Sequence, residues 1–197
     1  MILETLREIL FSPMTIINKA KKRRDINETL EVLVAVWLLF SFSNFFLTVS
    51  FGFAPLIQYI ITLMIFFIGV LFTIFFSYLL EIILRNFGGR GAYFESLTSF
   101  SYGLLPLSLG VFITSLLGST HYVLGGSLGF LIIALTASIG FSTFFRSLKD
   151  MFAVDLTTAA IGFGILMLIT LFSIYISLVF SSPSSIPFIQ RIFGITY

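Results

Sequence analysis

Five stretches of this chain each run for about 18 or more residues with almost no charge, and they restrict the fold more than any motif does. As a helix, a run of about 20 apolar residues crosses the roughly 30 Å hydrocarbon core of a bilayer. The runs are residues 32–50, 56–84, 97–117, 122–145 and 156–180. They are continuously apolar, whereas a barrel spanning lipid would alternate apolar and polar residues in segments of about ten. The runs therefore predict helices. A soluble alternative fails on composition, because 197 residues that are 58% hydrophobic and only 10% charged carry more apolar surface than one small core hides. The predicted fold class is all-α: an integral membrane bundle of five transmembrane helices.

The connections carry the remaining organisation. Residues 51–55 break the first run and turn it back into the second as a tight hairpin. The second run, about 29 residues, exceeds what a bilayer core requires, so it tilts or protrudes, with Glu81 and Arg85 at the protruding end. No internal repeat, low-complexity tract or soluble domain is visible. The chain divides into a head at 1–30, a membrane domain at 31–181 and a short tail at 182–197. In the head, Leu3, Leu6, Ile9 and Leu10 follow helical spacing while Glu4, Arg7 and Glu8 take the other face, and Pro13 punctuates the pattern. This predicts a short amphipathic interfacial helix before the first span, lying on the inner surface or packed against the end of the bundle. The basic stretch Lys19 to Arg24 serves as a topology signal, and each basic residue near the surface attracts anionic lipid headgroups by roughly 1 kcal/mol.

Ten of the eleven Lys and Arg residues fall on one side of the predicted spans, and Arg191 alone falls on the other. By the positive-inside rule the amino terminus and two charged loops are cytoplasmic and the carboxyl terminus is extracytoplasmic. All nine acids share the cytoplasmic side, so that face is mixed in charge and is not a nucleic-acid surface. Lys19 to Arg24 lead into an apolar run without a small-residue cleavage site, which predicts that the first span is an uncleaved anchor. The absence of cysteine excludes disulfides, thiolate metal sites, cysteine nucleophiles and palmitoyl anchors.

Three glycines surround one arginine at Gly88, Gly89, Arg90 and Gly91. A phosphate-binding loop needs a preceding strand and usually a Lys-Ser/Thr pair, and neither is present. Gly88 and Gly89 stand where a helix should end, and glycine accepts the left-handed conformation that termination requires. Gly91 and Ala92 permit close approach before Tyr93 and Phe94 re-enter the interface as aromatic anchors. A tight cytoplasmic connector is expected. Within the third span, Pro106 removes a backbone donor and frees the Tyr102 carbonyl, which predicts a kink. Ser101 and Tyr102, with Ser99 one turn nearer the inner surface, form a candidate polar site there; the alternative is a packing kink covered by neighbouring helices. Small residues recur as Gly125, Gly129 and Ala137 with Ala134 and Ser138 beside them, and as Ala160 and Gly164 in the fifth span. Such patterns let helices approach closely within one chain, with a homodimer left open.

Three segments together resemble a known family: SPMTIINKAKKRR before the first span, GGRGAYFESLTSFSYGLLPLSLG entering the third, and RSLKDMFAVDLTTAA entering the fifth. The chain resembles the Yip (Ypt-interacting protein) domain family of polytopic membrane proteins over nearly its whole length. The most specific part is the Gly-Gly-x-Gly turn with Tyr-x-x-x-Pro, Tyr102 to Pro106, about fifteen residues later. The resemblance implies five spans with a cytoplasmic amino terminus. Its eukaryotic members are associated with Rab-type GTPases, vesicle traffic and the shaping of endomembranes, usually through a longer amino-terminal region. This chain has only about 30 residues before its first span and looks more like the prokaryotic members, which implies a plasma-membrane location.

Catalysis has little to work with. His121 is the sole histidine and sits at the outer mouth, with no acid on that side to orient it, against a Ser/His/Asp constellation or a multi-histidine metal site. No enzyme activity, cofactor or metal is expected. Asp150 and Asp155 lie at the cytoplasmic edge, where acids cap helices or balance Arg146 and Lys149. The favoured reading is a membrane-organising or partner-recruiting module for an unidentified cytoplasmic protein. Its surface would comprise Gly88, Gly89, Arg90, Gly91, Arg146, Lys149, Asp150 and Asp155. The alternative is a small transporter or channel for a neutral or lipid-like substrate, dimeric in one version, working at Ser101, Tyr102 and Pro106. A water-filled cavity reaching past Pro106 would favour the second, and a closed bundle the first.

Overall fold

The computed structural model describes residues 13–50, 54–120 and 122–181, and these form six helices and no strand. They are α1 (Pro13–Arg23), α2 (Ile26–Ser50), α3 (Pro55–Asn86), α4 (Tyr93–Thr120), α5 (Tyr122–Phe152) and α6 (Leu156–Ser181). The fold is all-α, and α2 to α6 are long and apolar enough to cross a membrane. The amphipathic pattern at Leu3 to Leu10, residues 51–53, His121 and the tail 182–197 lie outside the described residues.

Four of the five long helices outrun their apolar stretches where charges begin; α6 starts at Leu156, where its apolar run does. The first starts at Ile26 rather than at residue 32, and the fourth continues to Phe152 rather than stopping at 145. Hydropathy marks only the part that needs hydrocarbon, while backbone hydrogen bonding carries the helix on until a cap ends it. At 32 residues α3 is the longest, about 48 Å at 1.5 Å per residue, against a hydrocarbon core of roughly 30 Å.

The packing is inside out relative to a soluble protein. Large side chains such as Phe67, Leu71, Phe130, Leu135 and Leu168 face outward, while the buried face of α4 carries Ser96, Thr98, Ser99, Ser101, Ser108 and Ser115. Lipid removes the hydrophobic drive that pulls large residues inward, so small residues that let helices approach take the interior. Their hydroxyls are satisfied largely within their own helix: Ser101 Oγ donates to the Leu97 carbonyl at 2.8 Å and Ser108 Oγ to that of Leu105 at 2.9 Å. In the centre, α4 runs antiparallel to α5 and parallel to α2, as shown by the pairs Gly103–Phe144 and Thr114–Gly129, and Thr29–Thr98 and Phe46–Phe112. Trp37 of α2 lies over Gly69 of α3 and donates from Nε1 to Thr73 Oγ1 at 2.9 Å.

Spacing alone misplaces part of the small-residue seam. Gly129 meets Thr114, but Ala134, Ser138 and Ala160 are exposed, and a side chain at Gly164 would meet nothing within 4 Å. Gly103, Gly110 and Gly140 line the α4–α5 contact, and Gly162 meets Leu84 of α3.

Two turns close the charged end. After α3, the Gly88 N–H reaches the Arg85 carbonyl at 3.0 Å and the Gly89 N–H that of Leu84 at 2.9 Å, a Schellman arrangement. Only Gly88 is left-handed, at φ 85°. Gly89 is needed for a different reason: a Cβ there would stand 2.8 Å from the Leu84 carbonyl oxygen and 3.2 Å from the Phe152 ring. The turn after α5 has the corresponding Val154 N–H to Lys149 carbonyl bond at 3.2 Å, but its left-handed residue is Ala153, at φ 53°. An L-residue with a Cβ is disfavoured there, so Ala153→Gly should stabilise the protein by about 1 kcal/mol. Denaturant unfolding in micelles would check this, and a less stable variant would show that the alanine methyl group makes a compensating contact.

Candidate functional site

The charged end is assembled from every long helix. Asp25 caps α2 by accepting the Asn27 N–H at 2.9 Å. Just before it, Arg24 terminates α1 in a left-handed conformation, φ 48°, with its N–H on the Ala20 carbonyl at 2.9 Å. That turn sends the Arg24 guanidinium to Glu95, the third residue of α4, where Nε lies 3.1 Å from Oε1 and Nη2 makes a second contact to the same oxygen. Glu95 is only 5% exposed, and its other oxygen accepts the Ala92 N–H at 3.0 Å. One carboxylate thus closes the amino terminus of α4 and ties it to the α1–α2 corner. One turn further in, Thr29 and Thr98 share a hydroxyl hydrogen bond at 3.1 Å, and the Tyr102 hydroxyl lies 3.4 Å from Glu28 Oε1.

α1 lies against the same end. Ile17 and Ala20 are buried, and the Lys21 ammonium donates to the Asp150 carbonyl in the last turn of α5, where free carbonyls favour a cation. The two connectors meet directly as well. The Arg90 N–H donates to the Phe152 carbonyl at 2.8 Å, and Gly91 lies so close to the Phe152 ring that a Cβ would come within 2.6 Å of it. Asp155 caps α6, accepting the Thr158 N–H at 3.2 Å, and bonding to Thr158 holds its carboxyl below the usual carboxylate range.

The predicted surface residues therefore divide. Gly88, Gly89, Arg90, Gly91 and Asp150 belong to one joined patch, Arg146 and Lys149 stand exposed in the last turns of α5, and Asp155 stands just before α6. Sequence reasoning missed Arg24, Glu95 and Phe152, which hold the patch together. A glutamate in the first turn of a helix after Gly-Ala was a readable capping signal for Glu95. Nothing local pointed to Arg24 or Phe152.

The intramembrane set Ser101, Tyr102 and Pro106 is buried but does not converge into one site. Ser101 satisfies its own helix, Tyr102 reaches across to α2, and α4 continues without a break through Pro106. Ser99, grouped with them in the sequence, shares a hydrogen bond with Ser147 of α5 at 2.8 Å. A half-open pocket of about 60 Å³ lies between Gly103, Leu104 and Leu107 on one side and Gly140, Phe144 and Phe163 on the other, with no ionisable group in its lining. Two larger grooves lie along α3. One, of about 650 Å³, is lined by Leu71, Ile74, Phe75, Tyr78, Glu81 and Tyr93, and the other, of about 530 Å³, lies near Trp37, Met64 and Phe72. Among the described residues no three His, Cys, Asp or Glu side chains group closely enough to hold a metal ion.

Among known proteins, no family model matches this chain, and neither a curated protein nor a solved structure shows significant similarity to it.

Proposed function

We propose that this integral membrane protein is a non-enzymatic recruiting module, a prokaryotic-type relative of the Yip family, whose charged end faces the cytoplasm and docks a protein partner. The observation that carries the reading is the Arg90 N–H to Phe152 carbonyl bond at 2.8 Å, which joins the α3–α4 and α5–α6 connectors into one surface. α1 extends that surface through Lys21, and Arg24 fixes its corner on Glu95. A partner meeting this face would find it already ordered, which lowers the entropy lost on binding. The space beside Leu107, about 60 Å³ and apolar, supports this reading against a carrier for polar solutes, which needs a hydrated path with polar groups along it.

The test combines topology with capture. A reporter inserted beside Arg90 should be cytoplasmic and one fused after Tyr197 extracytoplasmic; the reverse result would overturn the orientation. Charge reversal, Arg90→Glu with Lys149→Glu, should cut capture of cross-linked cytoplasmic proteins about tenfold or more, the scale of one strong interfacial contact. Both side chains are exposed, so stability should change by less than about 0.5 kcal/mol. Undiminished capture by the double variant would overturn the recruiting surface.

A further inference from the structure

We propose that the groove along α3 at the charged end binds a phospholipid, with an acyl chain lying on Leu71, Ile74, Phe75 and Tyr78 and an ethanolamine-type headgroup at Glu81 and Arg85. From Leu71 to Glu81 the helix rises about 15 Å, and that length presents an open apolar wall with Leu71 65% and Phe75 56% exposed. Glu81, only 9% exposed, lines the same groove and lies in the second-last turn of the helix, at the end where the charged residues gather. Arg85, one turn on and mostly exposed, folds back so that Nη1 lies 3.2 Å from Glu81 Oε1. A carboxylate and a guanidinium thus stand side by side at the top of an apolar slot.

That pair selects among headgroups. A primary ammonium has three N–H donors and can meet the carboxylate while the lipid phosphate meets the guanidinium. A choline headgroup keeps the positive charge but has no N–H to donate. A glycerol headgroup can place its phosphate on the guanidinium but offers no cation for Glu81. The second groove on α3, near Trp37, Met64 and Phe72, has no charged residue and supplies an internal comparison. The inference does not depend on the recruiting role.

Native mass spectrometry of the full chain released from nanodiscs would test it, using equimolar phosphatidylethanolamine, phosphatidylcholine and phosphatidylglycerol with identical acyl chains. The wild type should retain the ethanolamine lipid about tenfold over the others, the scale of one charge-assisted hydrogen bond. Retention should fall stepwise along the mono-, di- and trimethylated ethanolamine series. Glu81→Gln should bring the ratio near one, whereas Met64→Ala in the other groove should leave it unchanged. Equal retention of all three lipids by the wild type, or a preference surviving in Glu81→Gln, would overturn the proposal. Should Glu81→Gln fail to fold, the methylation series decides on the wild type alone, and indifference to methylation overturns it.

Discussion

Gly140→Val should cost this protein most of its stability, about 3 kcal/mol or more, by wedging α4 away from α5. An ideal Cβ at Gly140 stands 2.5 Å from the carbonyl oxygen of Gly103, with the carbonyl carbon 3.7 Å away. The obstacle is backbone of the central helix, so no rotamer change relieves it. Gly110 makes a useful contrast, because there the nearest atom is the Thr136 hydroxyl, which can rotate away, leaving only the Thr136 Cβ at 2.8 Å to be relieved by a small backbone shift. The expected order of damage for valine is Gly140, then Gly110, then Gly164, whose surroundings are empty within 4 Å. Denaturant unfolding in micelles gives the ranking. A Gly140 variant as stable as the Gly164 one would mean that the two helices do not pack this closely.

Phe152→Ala should destabilise by about 3 kcal/mol, the usual cost of emptying a fully buried phenylalanine site. The ring has no exposed surface and lies beneath both Gly89 and Gly91. Its loss should do more than leave a cavity, because this ring is where the α3–α4 connector rests on the end of α5. Gly91→Val overfills the same space, its Cβ falling 2.6 Å from the ring. The double variant Gly91→Val with Phe152→Ala should therefore be less damaged than the sum of the two, with a coupling of about 1 kcal/mol or more. The chain has no native cysteine, so a pair introduced at Arg90 and Lys149 reports connector spacing directly. Cross-linking that is as efficient in Phe152→Ala as in the parent protein would show that the ring does not hold the connectors together.

Both variants concern contacts that spacing could not supply. The glycine turn illustrates the limit. Its position was legible because a helix must end somewhere before Tyr93 and glycine ends helices cheaply. Which glycine is left-handed was not, since Gly88 and Gly89 are chemically identical and only the hydrogen bonds to Leu84 and Arg85 distinguish them. For the same reason the sequence grouped Ser101, Tyr102 and Pro106 by nearness along the chain. Neighbouring residues on a helix point about 100° apart, and Tyr102 therefore meets Glu28 of α2 while Ser101 turns back on Leu97.

The number of long helices, their approximate extents and the gathering of charge at their ends follow from the sequence by itself. Apolar length is a local quantity, and lipid demands that each crossing segment satisfy its own backbone. The tertiary structure decided which small residues meet, that Arg24 reaches Glu95 across 71 positions, and that Phe152 supports the glycine turn. In lipid no hydrophobic force distinguishes one apolar helix face from another. The choice of face rests on steric fit and a few hydrogen bonds between residues far apart in the chain, and these exist only once the helices are side by side.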